Sequence, residues 1–110
     1  LGADLILCPT AIGKTYIDKK LLSLPNEKLK WKIIIQANSL MNNIPVVVAN
    51  RIGNESNKNR RINFWGSSFI TNADGDIITE ALDKAKVIKS TIDLSYRRQA
   101  IQKWLFNKSP

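Results

Sequence analysis

Residues 8–15 read "CPTAIGKT". They follow the apolar run Leu5-Ile6-Leu7 and end in Gly13-Lys14-Thr15, which is how a phosphate-binding P-loop ends. Read that way, the chain is a doubly wound nucleotide-binding protein. Read otherwise, the same string is the end of a buried strand. The pattern G-x-x-x-x-G-K-[ST] places its first glycine at position 8, and position 8 is Cys8. The leading glycine lets the backbone turn tightly, so that successive N–H groups face phosphate oxygens; a Cβ resists that path. The lysine should also open a long helix. Here "KKLLSLPNEK" follows at 19–28, interrupted by Pro25. A strand end is the reading that leaves fewer residues unexplained.

Composition narrows the classes. The 110 residues suit one small domain or a piece of a larger one. With 44% hydrophobic and 24% charged residues, the chain can bury a core. No apolar run approaches the roughly 20 residues of a membrane span, so no membrane association is expected. The start, "LGADLIL", has no initiator methionine, basic segment or small-residue cleavage site, and reads as a chain that begins inside a longer protein. A single cysteine excludes an internal disulfide and fits a cytoplasmic setting. The absence of histidine removes Ser-His-Asp catalysis and Cys/His metal sites from this segment. The net charge of +8 is scattered, and its densest run, "NESNKNRR" at 54–61, contains Glu55. Charge of that kind governs solubility and non-specific association rather than fold, and no nucleic-acid partner is expected.

Periodicity gives an element order. "ADLILCPT" (3–10) and "IPVVVAN" (44–50) are short apolar runs of the kind that form strands covered on both faces. Residues 13–26 read as a loop or broken turn. "NEKLKWKIIIQANSLMNN" (26–43) predicts a helix, with Asn26 as cap, Glu27 at its positive end and Asn42-Asn43 ending it. Trp31, Ile34 or Ile35, Asn38 and Met41 share helical spacing, and Lys28, Lys32, Gln36 and Ser39 fall on another arc. "RIGNESNKNRRINFWG" (51–66) reads as a long polar loop. "SSFITNADGDIITEA" (67–81) predicts a hairpin around Asp74-Gly75. "AKVIKSTID" (85–93) reads as a strand, and "SYRRQAIQKWLFN" (95–107) as a closing helix capped by Ser95 or Asp93. Strand, helix, strand, hairpin, strand, helix is an α/β order with a large antiparallel part.

The order "GADLILCPTAIG", then Trp31 and Gln36 in a helix, "IPVVVANRIG", "FWGSSFITNADGDIITEA", and a last helix ending in Trp104-Leu105-Phe106 resembles the C-terminal half of the nitrilase superfamily of carbon–nitrogen hydrolases. Within it, the closest branch is the N-carbamoylputrescine amidases. The resemblance covers nearly all of the chain. It implies one partial carbon–nitrogen hydrolase domain over 1–110, the C-terminal portion of a nitrilase-type αββα four-layer sandwich. Residues 14–24 and the ending "LFNKSP" depart from the family pattern.

What the resemblance implies about function is equally specific. The family's Cys nucleophile, Glu general base and Lys oxyanion partner all precede the "GADLIL" strand, so no catalytic residue is expected here and this chain alone should be inactive. Cys8 stands at a family tyrosine position in an apolar strand, where a thiol acts as a small hydrophobe. The strand ends at Thr10, Ala11, Asn50 and Arg51 would border a small-molecule substrate, with Trp65 and Ser67 as a further wall. Thr10 and Asn50 could hydrogen-bond substrate or only cap strand ends, Arg51 could pair with a carboxylate of the other half, and Trp65 could equally be packing. No cofactor or metal is implied. The parent would be a homo-oligomer of polyamine synthesis, converting N-carbamoylputrescine to putrescine. The readings from other classes are a P-loop protein acting on RNA, similar to tRNA dimethylallyltransferases, and a non-catalytic assembly module.

Overall fold

The computed structural model describes residues 2–95. Two four-stranded sheets and one helix account for them. The first sheet is built from β1 (Ile6–Thr10), β4 (Val46–Asn50), β7 (Phe69–Thr71) and β8 (Ile77–Glu80), in the order β1-β4-β7-β8. β1 and β4 are parallel, with Thr10 opposite Asn50, and the crossover between them carries α1 (Glu27–Asn42). β4–β7 and β7–β8 are antiparallel, so the expected hairpin forms. Its turn closes where Gly75 takes φ 79°, a conformation that costs glycine nothing.

The core lies between this sheet and α1. Val46, Val48 and Phe69 are buried, with Cys8, Trp31, Ile35 and Ile77 packed against them. The Phe69 ring meets Trp31 edge-on at 5.5 Å. The helix faces differ from the expected arcs. Lys32 pairs with Glu80, Gln36 Nε2 donates to the Gly75 carbonyl at 2.9 Å, and Ser39 Oγ contacts Thr71 Oγ1 at 2.8 Å. Lys32, Gln36 and Ser39 of the polar arc therefore turn inward onto the β7–β8 hairpin, where those side chains find fixed partners, while Lys28 stays exposed. Leu29, Ile33, Ile34 and Met41 are left exposed. Asn43 ends the helix in the left-handed conformation, with its N–H on the Ser39 and Leu40 carbonyls. Asn26 flanks the start but makes no side-chain cap; the Leu24 N–H donates to Glu27 Oε1 instead, at 3.0 Å.

The second sheet corrects two expected loops. β2 (Gly13–Ile17) and β3 (Lys20–Leu21) occupy the first, β5 (Ile52–Asn57) and β6 (Arg60–Trp65) the second, in the order β3-β2-β6-β5. All pairings are antiparallel. The turns carry no glycine. Asp18 and Lys19 both adopt positive φ, the geometry that suits a two-residue hairpin, and Asn59 holds Asp18 by a 3.0 Å side-chain bond. Gly13 is required by the pairing itself: a Cβ there would lie 2.1 Å from the Asn63 carbonyl oxygen. The P-loop reading ends here. Gly13, Lys14 and Thr15 lie inside β2, and β3 follows by a tight turn. Their backbone runs in a ladder rather than around a phosphate.

Other expectations meet the chain differently. β4 is buried at Val46, Val48 and Asn50 but exposed at Ala49, so among the described residues only one face is well covered. Residues 85–93 form no strand, and Val87 is 82% exposed. The closing helix at 95–107 lies outside the described residues apart from Ser95, whose N–H and hydroxyl both bond Asp93 Oδ1. No helix among the described residues is long and apolar enough to cross a membrane.

Candidate functional site

β1 and β4 run out at the same edge, which brings Thr10, Ala11, Asn50 and Arg51 together. The parallel register explains why: a βαβ unit delivers both strand ends to one side of the sheet. Asn50 organises that edge. Its Oδ1 accepts from the Thr10 hydroxyl at 2.9 Å and from the Ile12 N–H at 2.8 Å. Its Nδ2 donates to the Ile12 carbonyl at 3.1 Å and the Gly66 carbonyl at 2.8 Å. A primary amide has two donors and two acceptor lone pairs, and all four are engaged. Asn50 is 8% exposed. The side chain therefore locks the exits of β1, β4 and β6 to one another and has no hydrogen-bonding capacity left over. The Thr10 hydroxyl donates inward, which leaves its oxygen as an acceptor at the edge.

Gly66 and Ser67 complete the junction. Both take left-handed backbone, at φ 59° and 58°. A Cβ on Gly66 would come within 2.7 Å of Ile52 Cγ2 and 2.9 Å of the Leu82 carbonyl oxygen, so only glycine fits without displacement. Ser67, 2% exposed, donates its N–H to the Leu82 carbonyl and its hydroxyl to the Trp65 carbonyl. A buried non-glycine residue at positive φ stores strain, and such strain persists where surrounding contacts over-determine it. Ser68 adds a bond between its Oγ and the Asn50 N–H at 2.9 Å.

Arg51 and Trp65 settle differently. Arg51 Nη1 bonds Glu55 Oε2, and the guanidinium sits 4.4 Å from the Phe64 ring centroid. Its carboxylate partner is thus in this chain, in an exposed pair of the kind that contributes about 0–1 kcal/mol. The Trp65 ring lies 5.9 Å from that of Trp31, and its Nε1 is buried without a hydrogen-bond partner. Trp65 also walls a groove of about 610 Å3, together with Lys14, Leu24, Glu27 and Asp83. Cys8, opposite Val48, packs against the buried cluster of Val46, Val48 and Phe69.

Sequence reasoning reached Thr10, Ala11, Asn50, Arg51, Trp65 and Ser67. It missed Ile12, which acts only through its main chain, and Ser68. The hydroxyl pair Ser67-Ser68 between two apolar runs was the available signal for the latter. It also missed the groove, because Lys14 and Asp83 are 69 positions apart and meet only in the folded chain.

Residues 25–102 match the carbon-nitrogen hydrolase family model. The chain is 34% identical over 108 residues to an N-carbamoylputrescine amidase of Arabidopsis thaliana, covering 94% of this chain and 35% of that protein. It is 33% identical over 105 residues to a citrullinase of Francisella tularensis, with the same coverages. The crystal structure of a carbon-nitrogen hydrolase from Helicobacter pylori G27 superposes with a TM-score of 0.82 at 27% identity, covering 99% of this chain and 38% of that one. The chain thus spans about a third of the length of the curated relatives it matches.

Proposed function

The chain belongs to the carbon-nitrogen hydrolase family, and from that premise we propose that it supplies one wall of the active site of an enzyme that hydrolyses a linear ureido or amide substrate. N-carbamoylputrescine is the reference substrate, and putrescine, ammonia and carbon dioxide are its products, a step of polyamine synthesis. The observation that carries the reading is 34% identity to an N-carbamoylputrescine amidase over 94% of this chain.

A ureido carbon is a poor electrophile, because nitrogen lone pairs feed into it. Its cleavage needs a thiolate made by an adjacent base, and donors where charge develops on oxygen. The thiolate, the carboxylate base and the lysine belong to the part of the enzyme outside this chain. Attack forms a C–S bond and releases ammonia; a base-activated water then breaks it, and the carbamate so formed loses carbon dioxide. Thr10, Ala11 and Trp65 border the substrate in this reading, with Ser67 buried behind them. Asn50 and Arg51 position the edge. This chain alone is inactive.

The test is ammonia release from N-carbamoylputrescine by the natural full-length protein. Cys8→Ser should leave turnover within about tenfold, a barrier change below roughly 1.4 kcal/mol, since Cys8 packs toward the core. Abolished turnover in a folded Cys8→Ser protein would make Cys8 the nucleophile and displace the active site from the edge.

The same protein forms a homo-oligomer through the outer face of α1. Leu29, Ile33, Ile34 and Met41 are each more than half exposed there, and an apolar stripe on a helix is ordinarily covered. Ile34→Glu should shift size-exclusion elution to smaller species without altering the circular dichroism spectrum. Unchanged elution would show that this face is covered within the protomer.

A further inference from the structure

The net charge of +8 looks scattered along the sequence, but the fold gathers part of it at one tip of the second sheet. Two hairpin turns meet there, Asp18-Lys19 between β2 and β3 and Lys58-Asn59 between β5 and β6. Two bonds clamp them together. The Asp18 N–H donates to the Asn59 carbonyl at 3.0 Å, and Asn59 Nδ2 donates to Asp18 Oδ1 at 3.0 Å. Lys19 and Lys58, 39 positions apart, are thereby brought to the same tip. The strands add a cross-strand row on one face, Tyr16, Arg61 and Ser56. Turns and row enclose a cavity of about 270 Å3, which Arg60 also lines.

Four cations and one carboxylate line that cavity, a formal charge of +3. The carboxylate, Asp18, already accepts from Asn59. Among the described residues the ion pairs are Lys32–Glu80 and Arg51–Glu55, so Lys19, Lys58, Arg60 and Arg61 belong to none. Arg61 is held by stacking, its guanidinium 4.6 Å from the Tyr16 ring centroid. A guanidinium stacked by its face keeps its N–H donors in its own plane, and the Tyr16 and Ser56 hydroxyls can donate as well.

Cations gathered without a counter-charge suit a ligand with several negative charges on adjacent atoms. A chain of linked phosphates is that ligand, since its oxygens accept charge-assisted bonds from arginine forks and lysine ammonium groups alike. The cavity is smaller than the roughly 300–1,000 Å3 of a drug-sized site, so a short phosphate chain fills it. The positive charge also stops at the tip. The next two rows of the ladder hold one cation, Lys14, and one anion, Glu55. A nucleic-acid strand would need a longer basic track with open aromatic platforms, and Arg61 already covers Tyr16. The Gly13-Lys14-Thr15 string takes no part.

We propose that the tip of the second sheet binds a polyphosphate group, carried by free inorganic polyphosphate or by a nucleoside triphosphate. The inference does not depend on the hydrolase reading.

Isothermal titration calorimetry of the natural full-length protein with sodium tripolyphosphate tests it. One tripolyphosphate per protomer is expected, with orthophosphate at least tenfold weaker because it reaches fewer of the four cations. Arg60→Gln/Arg61→Gln, at two exposed positions, should weaken tripolyphosphate at least tenfold, and Lys58→Gln alone at least threefold. Lys30→Gln/Lys86→Gln removes the same charge from exposed lysines outside the cavity and should change the affinity by less than twofold. ATP separates the two sources. Affinity equal to that of tripolyphosphate means that the phosphate chain suffices, and affinity at least tenfold higher makes a nucleoside triphosphate the ligand; either sustains the site when Arg60→Gln/Arg61→Gln abolishes it. Equal weakening in the two double variants reduces the effect to net charge and overturns the proposal. So does absent tripolyphosphate binding, or an oligothymidylate that binds at least tenfold more tightly, which makes single-stranded nucleic acid the partner. If Arg60→Gln/Arg61→Gln does not fold, Lys58→Gln decides: an unaltered affinity refutes the site.

Discussion

Phe69→Ala should destabilise the protein by about 3–5 kcal/mol, the range for emptying a buried aromatic site. Phe69 is 0% exposed and sits in the middle strand pair of the first sheet, opposite Val48 and Glu80. Its ring contacts Trp31 edge-on and lies 5.9 Å beneath the Lys32 ammonium, which in turn pairs with Glu80. Truncation removes the ring on which α1 is seated, and the neighbours are too firmly held to close the gap: Thr71, in the same strand, is also 0% exposed and bonds the Val46 N–H at 3.0 Å. Urea denaturation of the full-length protein measures the loss directly. Phe69→Leu retains most of the volume and should cost less than half as much. A loss below about 1 kcal/mol for the alanine variant would mean that the helix is held elsewhere, since that is the level of an ordinary surface change.

How much of this was legible in the sequence follows from where the signal sits. α1, β4 and the β7–β8 hairpin carry a buried side, and burial writes an apolar pattern into a sequence; β1 carries its apolar run although only Cys8 and Thr10 of it are half-buried among the described residues. β3 and β5 are exposed along their length, and β2 is half-buried only at Gly13, Thr15 and Tyr16. A strand with no buried face has no reason to alternate, and "GNESN" looks like a loop for that reason. Its turn was equally silent, because Asp18, Lys19 and Lys58 take up positive φ without glycine, supported by the Asn59–Asp18 bond and the pairing on either side. The helix misled in a different way. Lys32, Gln36 and Ser39 read only as a polar arc separate from the apolar one, yet they face inward, since each meets a partner supplied by residues 32 to 48 positions away. Periodicity sees polarity; it does not see satisfaction. At the site, the residues at the edge were legible by position, as strand ends, while the role of Asn50 depended on main-chain atoms of Ile12 and Gly66 that no side-chain pattern announces.

That role sets the other large expectation. Asn50→Ala should lower stability by about 2–4 kcal/mol, since the Ile12 N–H and the Ile12 and Gly66 carbonyls lose their side-chain partner in a site where replacement water has little access. The same substitution releases the three chain segments that meet at the sheet edge, and a displacement of about 1 Å among groups that border a substrate can cost on the order of a hundredfold in rate. For the natural full-length protein with the proposed substrate N-carbamoylputrescine, the expected pattern is therefore a fall in kcat together with a fall in unfolding free energy. Asn50→Asp should not rescue either one. It keeps the acceptor for Thr10 and Ile12 but turns a carboxylate oxygen toward two carbonyls, where Nδ2 had donated to both. Thr10→Val makes the complementary test, because it removes a single one of the four bonds and should cost only about 0.5–1.5 kcal/mol. Two results would count against Asn50 as the lock of the edge. One is an Asn50→Ala protein whose stability and kcat both stay near wild type. The other is a rise in KM alone with stability unchanged, which would mean that the amide binds substrate directly and gives up its internal bonds to do so.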